Sequence, residues 1–348
     1  MATRTGPASR RDWTNLPAGP AGLIAERLLA HDVADLVRFR AVCAAWRACS
    51  DDPRASLVSD RRFHPRRWIL LPRGHTRRQP FLMNVHTGKR IHPRLPDLRR
   101  HYMFGPIAGG LLVLCRKGTH VVQLLNHVTG QLTDLPCATG LLPPCKWNRS
   151  MDFRAMNVRL HSGGVADDST VALLCNDCRT LAVAKPGDDD WTRLWPDGGD
   201  DRTGLWIDDE CILLALSFSS RLYCVTTKNI LVVESAAANQ KARLAVVADV
   251  KLACRYPWPE DYVYPVYGDE GGLILVHRCR TSSTGFHDKY IAYRVNLDIG
   301  NVESIRDLGG NSLFVCGGRS QSVYPAMMSS SIKVDTIYVC QKVLVWSN

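Results

Sequence analysis

The sequence predicts a mainly β fold: a C-terminal β-propeller of about six or seven blades, preceded by a small all-α module. Three observations carry this. From about Trp68 onward the chain is a series of short apolar runs bounded by Gly, Asp, Asn and Ser, the texture of short antiparallel strands. A turn pattern, Asn-x-x-(Thr or Ile)-Gly, recurs at Asn84, Asn126 and Asn296, the first two 42 residues apart and the last two 170 apart, close to four times 42. Helical periodicity, finally, is confined to the residues before Arg54. Blades repeat every 40 to 50 residues or so, and roughly 280 residues hold about six or seven such units. A sandwich of two sheets is the alternative, but it predicts no 42-residue register.

Taken in order, Met1 to Arg11 is Arg-rich and lacks acids; residues 1–11 read as a disordered leader. Residues 12–53 form the helical module. Leu36, Phe39, Val42, Cys43 and Trp46 recur at intervals of three or four, placing them on one helical face about 100° wide, and Ile24 with Leu28 repeats the pattern one element earlier. Asp32, with Asp35 three residues on, supplies an N-cap and a helix-start charge. A unit this small buries little surface of its own, so an apolar face ending in Trp suggests a partner. Periodicity alone also allows an ordinary helical hairpin packed on the rest of the protein.

Leu16-Pro17, Arg38-Phe39-Arg40-Ala41-Val42-Cys43 and Trp46-Arg47 together resemble the F-box, the helical module by which substrate receptors dock on the Skp-type adaptor of a cullin-RING ubiquitin ligase. Asp32 to Arg47 follows the plant pattern almost residue by residue. Members usually carry an acidic residue and two leucines where this chain has Gly19, Pro20 and Ala21, which implies a shortened first helix. The resemblance implies that Leu16, Pro17, Ile24, Leu28, Leu36, Phe39, Val42, Cys43 and Trp46 bind the adaptor, with Leu16-Pro17 fixing how the chain approaches it.

Residues 54–67 read as a basic linker. Between Arg54 and His101 there are thirteen Lys or Arg against Asp60 and Asp97, a local net charge of +11 that equals the charge of the whole chain; Pro186 to Glu210 is locally −7. Such a basic block suits nucleic acid, an acidic partner or an import receptor. Phe63, Trp68 and Phe81 within it, and Tyr102 just past it, lack the platform pattern of a single-strand binder, so it reads as a solvated rim, with Arg61-Arg62 and Arg66-Arg67 as a nuclear-import candidate.

Residues 68–348 form the propeller-like domain. Gly109-Gly110-Leu111-Leu112-Val113-Leu114-Cys115 precedes Val121 to Asn126 and the Gly130 turn, just as Gly271-Gly272-Leu273-Ile274-Leu275-Val276 precedes Tyr290 to Asn296. Tyr293 to Asp298, Asp307 to Val315 and Thr336 to Val339 resemble the propeller domain of plant KIB-type F-box proteins. The chain stops soon after Tyr338, so the strand that closes the ring is expected to be degenerate or truncated.

Catalytic signatures are missing: no Gly-x-Ser-x-Gly elbow, P-loop, dinucleotide fingerprint or His-Glu-x-x-His. Cys175-Asn176-Asp177-Cys178 is the one C-x2-C, without a second ligand pair, and Asp188-Asp189-Asp190 reads as a solvated loop. No metal, cofactor or catalytic residue is expected. Trp191, Trp195, Trp206 and Trp258 read as plugs between blades. Hydrophobic content of 45% with 22% charged residues describes a soluble globular chain. Thirteen scattered cysteines point to a reducing compartment, nucleus or cytoplasm, and no apolar run approaches the roughly 20 residues of a membrane helix. The resemblance implies a non-catalytic substrate-receptor subunit of an SCF-type ubiquitin ligase, with an unidentified protein target. Two alternatives stand beside it: a propeller scaffold whose F-box is degenerate and, more weakly, a basic nucleic-acid-associated protein.

Overall fold

The computed structural model describes residues 13–71, 81–84, 87–93, 95–141, 150, 155, 158–175, 181–195, 212–234, 242–250, 252, 262–267, 272–280, 288–316, 319–323 and 333–340; the expected leader, residues 1–11, lies outside them. Helix α1 spans Ala18–His31, α2 Val33–Arg40 and α3 Ala44–Ala48. The first helix is not shortened, against expectation: it runs 14 residues with Gly19 and Pro20 in its first turn. The first amide with a helical acceptor is Ala21 N, 3.1 Å from Pro17 O. Pro20 therefore occupies one of the positions whose N–H goes unused in any helix, and its missing donor costs nothing.

Between α1 and α2 the chain turns at Asp32, whose Oδ1 accepts from Ala34 N at 2.9 Å as the N-cap of α2. At the α2–α3 corner the Cys43 Sγ accepts from Trp46 N. The Arg40 guanidinium then donates to the carbonyls of Ser50 and Asp51 and pairs with Asp52 at 3.2 Å. One cation thus satisfies the carbonyls beyond α3 and folds the chain back along α2.

The remainder is strands. A three-stranded sheet comprises β1 (Trp68–Leu71), β2 (Phe81–Asn84) and β3 (Arg90–Ile91). Three four-stranded antiparallel meanders follow: β4 (His101–Pro106), β5 (Leu112–Arg116), β6 (Val121–Asn126) and β7 (Gln131–Cys137); β8 (Leu160–Val165), β9 (Val171–Cys175), β10 (Leu181–Ala184) and β11 (Thr192–Leu194); and β12 (Ile212–Phe218), β13 (Arg221–Thr226), β14 (Asn229–Glu234) and β15 (Arg243–Asp249). A fourth meander, β16 (Tyr262–Tyr267), β17 (Leu273–Arg280), β18 (Asp288–Asn296) and β19 (Asn301–Ile305), continues into β20 (Ser312–Cys316), β21 (Arg319–Val323) and β22 (Thr336–Cys340) through a parallel pairing of β16 with β21. The fold is a mainly β propeller with a small helical region ahead of it.

Side-chain alternation explains why the strands read as continuous apolar runs. In β9, Val171, Leu173 and Cys175 join the core shared with the preceding sheet, whereas Ala172 and Leu174 join the core shared with the following one. The inner strands of such a blade lie between two others, so both of their faces are dry, whereas the outermost strands β7, β15 and β19 keep exposed positions. Strand β13 repeats the division, with Leu222 and Cys224 facing back and Tyr223 and Val225 facing forward. The register shift between Ile212 and Leu214 lets consecutive Leu213 and Leu214 both enter the forward core.

All three copies of the predicted turn close equivalent hairpins, β2–β3, β6–β7 and β18–β19. Gly88, Gly130 and Gly300 have φ of 66°, 75° and 67°, a conformation that favours glycine. Asn84, Asn126 and Asn296 use the side-chain carbonyl to accept from Thr87 N, Thr129 N and Ile299 N. The threonines add a second bond, from Lys89 N and Gln131 N to Oγ1. Since this turn joins the third and fourth strands of the meanders β4–β7 and β16–β19, β1 to β3 correspond to the last three strands of a unit.

Candidate interaction surfaces

The nine residues expected on one helical docking face separate into two groups. Leu36 and Phe39 are buried in the module's own core with Ala21, Ala25, Val33 and Phe63; Leu16, Leu28 and Trp46 pack partly against that core. Trp46 stacks on Phe39 with ring centroids 4.6 Å apart and donates Nε1–H to Trp13 O at 3.2 Å. Cys43 is half-buried as the cap of α3, whereas Pro17 is exposed. Ile24 and Val42 stay exposed, at 39% and 57%. Two neighbours that periodicity did not single out are also exposed, Trp13 at 59% and Leu23 at 64%. On α1, Ala21 and Ala25 define the inward side, and at 100° per residue Leu23 points away from it while Ile24 lies on its flank.

Asp32 does more than cap α2. It is 8% exposed. Its Oδ1 also accepts from the Trp68 indole at 2.8 Å, and its Oδ2 accepts from the Asn84 side chain at 2.8 Å. The same asparagine shapes the first of the repeated turns, so one carboxylate ties the α1–α2 corner to β1 and to the β2–β3 hairpin. Ala34, Trp68 and Leu82 form the small apolar core beneath it, with Val128 and Ile91 against them. The helical module is therefore packed on the first two strand units.

Residues 54–67 lie along those units and past them. Arg54 Nε donates to Thr129 O at 3.0 Å, Gln131 Nε2 bonds Ser56 O, and Asn126 Nδ2 donates to Phe63 O at 2.7 Å. The two hydroxyls of Ser59 and Ser169 meet at 3.0 Å, and Arg61 pairs with Asp167 at 3.5 Å. His64 is buried with Nε2 2.8 Å from Val58 O. Burial, and secondarily the charges of Arg66 and Arg61, hold its pKa down at about 4. Gly109 (φ 82°) and Gly110 (φ 85°) make this approach possible: a Cβ on Gly109 would sit 2.6 Å from the His64 ring, and one on Gly110 2.8 Å from Pro65 O.

Beside the β8–β9 and β12–β13 turns lies an open cleft of about 450 Å³ lined by Asp167, Asp168, Ser220, Arg221 and Glu234. Its carboxylates are engaged: Asp168 with Lys185, Asp167 with Arg61 and Glu234 with Arg243. Among the described residues no group of His, Cys, Asp or Glu is arranged to hold a metal ion. Trp191 is buried between two sheets and donates to Pro136 O at 3.2 Å; Cys178, Trp206 and Trp258 lie outside the described residues.

Residues 82–347 match the KIB1-4 beta-propeller family. The chain belongs to that family. Among solved structures, this KIB1-4 propeller is similar to the β-propeller domain of Cps50 (Swd1) from Myceliophteria thermophila, at 10% identity, 69% of each chain and a TM-score of 0.35. It is also similar to the PQQ-bound aldose sugar dehydrogenase of Streptomyces coelicolor (12% identity, 67% of this chain and 84% of that one, TM-score 0.30). The Pan2 WD40 domain of Neurospora crassa is a third likeness (8% identity, 68% of this chain and 60% of that one, TM-score 0.33). No curated protein matches the chain.

Sequence reasoning missed two things in this KIB1-4 propeller. One is the second job of Asp32, for which the only local signal is its capping position. The other is that residues 54–67 are laid against the propeller by specific contacts; the Gly109-Gly110 pair, two glycines between apolar runs, is the signal that a second stretch of backbone comes close.

Proposed function

We propose that this protein is a non-catalytic substrate receptor: its propeller holds a protein target, and its helical module docks on the Skp-type adaptor of an SCF-type ubiquitin ligase in the nucleus or cytoplasm. The observation that carries the docking half is the set of large apolar side chains the module leaves in solvent, Trp13, Leu23, Ile24 and Val42. A forty-residue unit that packs Leu36 and Phe39 inside against Phe63 of the following stretch, while exposing four such groups, has the composition of an interface. Membership of a propeller family supports the protein-interaction half. Such a receptor accelerates modification by raising the effective concentration of the target near ubiquitin carried by other subunits, and needs no nucleophile of its own.

The test is capture of a purified plant Skp-type adaptor by the full chain and by Ile24→Asp and Val42→Asp. Both positions are exposed, so the variants keep the fold, and each should weaken capture about tenfold or more if its side chain lies at the interface centre. Truncation at Arg54 is a poor control, since it strips Asp32 from Trp68 and Asn84.

A second reading is a propeller scaffold whose helical module no longer recruits the ligase. It is favoured by the way Leu36, Phe39 and Asp32 are spent on the module's own core and on the propeller. It predicts no adaptor capture by the intact, folded chain.

A further inference from the structure

The first strands of consecutive units, β4, β8, β12 and β16, lie beside one another and so line the propeller's axis. Ser162 Oγ accepts from Ala215 N at 2.7 Å, and a Cβ on Gly164 would lie 2.7 Å from Ser217 N. All four strands run the same way, ending at Pro106, Val165, Phe218 and Tyr267. Residues 59–66 sit at that end: Ser59 on Ser169, Arg61 on Asp167, His64 on Gly109 and Pro65 on Gly110. The basic stretch therefore covers one mouth of the axis.

Two cations are brought there with too few anions. Asp167 engages the Nε of Arg61, but Nη2 of the same guanidinium is buried with no hydrogen-bond partner among the described residues. Among the described residues the Arg66 side chain has neither an ion pair nor a hydrogen bond, and the residue is exposed at the rim of the mouth. Desolvation of its guanidinium, and then the charge of Arg61, hold its pKa below the usual range, and both arginines act on the Tyr267 hydroxyl. That hydroxyl, at the end of β16, donates to Ser217 O at 3.2 Å, and its ring stacks on Phe218. A buried, unsatisfied N–H on a fixed cation beside a second cation is costly unless something fills the gap. The fitting group is an anion with several acceptor oxygens, which a guanidinium fork binds best.

We propose that Arg61 and Arg66 form an anion site at this mouth of the axis, taking a phosphate or carboxylate group carried by a segment of the protein partner. The site rests on the unsatisfied Nη2 of Arg61 and on the path that lays Pro65, next to Arg66, on Gly110 at the same mouth; that its anion arrives on a protein rests on the interaction reading above.

The experiment is a thermal-unfolding titration of the full chain with inorganic phosphate, at ionic strength held constant with chloride. Wild type should gain about 2–4 °C in Tm at phosphate several-fold above its Kd, and chloride alone should do nothing comparable. Arg66→Gln should lose most of that gain, Arg66→Lys should keep part of it, and Asp167→Asn, which removes the competing carboxylate, should saturate at lower phosphate. Without phosphate, Arg66→Gln should be no less stable than wild type, since it only removes a repulsion; this separates a ligand site from a structural role. No gain in wild type, or equal gains in wild type and Arg66→Gln, overturns the proposal. Phosphorylated and glutamate-rich peptides as probes then distinguish the two sources of the anion. The adaptor test reads Ile24 and Val42 instead, so each reading fails separately.

Discussion

Replacing Asp32 by alanine removes one acceptor from three donors at once: the Ala34 amide at 2.9 Å, the Trp68 indole at 2.8 Å and the Asn84 amide at 2.8 Å. An N-cap is worth about 1 kcal/mol, and a hydrogen bond to a charged group about 1.5–3 kcal/mol. Against that stands the relief of a carboxylate that is 8% exposed and carries its own desolvation cost. The net expectation for Asp32→Ala is a loss of about 3–5 kcal/mol. Asp32→Asn keeps an oxygen for Ala34 and Trp68 and loses the charge-assisted bond to Asn84, so it should cost about 1–2 kcal/mol. Urea unfolding followed by tryptophan fluorescence and far-UV CD measures both. A double-mutant cycle with Trp68→Phe should show at least about 1 kcal/mol of coupling. An Asp32→Ala loss under about 1 kcal/mol, or strict additivity with Trp68→Phe, would refute the claim that this carboxylate fastens the helices to the sheet.

Other expectations follow from the same contacts. Gly109→Ala forces a Cβ to 2.6 Å from a buried imidazole at positive φ and should cost about 2–3 kcal/mol, whereas Gly88→Ala, with open space at its Cβ, should cost only the backbone strain of about 1 kcal/mol; equal losses in urea midpoints would count against the packing of His64 on that glycine. His64 and His277 are buried with pKa values lowered to about 4, so the unfolded chain binds more protons, and stability present above pH 6.5 is lost as pH falls towards 4, by about 2 kcal/mol per histidine at pH 5. Asp60, held below 3.8 by its bond to Arg62, acts only beneath that window; a urea midpoint that stays flat from pH 7 to 5 would show the histidines are not buried neutral.

Local chemistry made much of the fold legible. The Asn-x-x-(Thr or Ile)-Gly turns were readable because the asparagine, the threonine and the positive-φ glycine act within five residues. The helix start at Asp32 follows from capping by the residue itself, whereas periodicity ran Leu36 to Trp46 as one helical face and missed the corner at residues 41–43, where Cys43 caps a separate α3. The length of α1 was misjudged because Gly19 and Pro20 are helix breakers only where an N–H is needed, and the first turn needs none. Among the candidate interface residues, periodicity grouped Leu36 and Phe39 with Ile24 and Val42, since a repeat of three or four marks an apolar face without saying what covers it.

What the sequence determined by itself is therefore the set of short strands, the turn chemistry and a helical module with apolar residues to spare; the 42-residue register holds only between the first two turns, because Asn126 and Asn296 stand three units apart, not four. The tertiary structure decided which of those apolar residues remain outside, that Asp32 reaches 36 residues along the chain to Trp68 and 52 to Asn84, and that residues 59–66 cover the axis with two arginines. These are contacts between distant stretches, and a side chain's type and local spacing carry no record of which remote backbone or charge will meet it once the blades close around it.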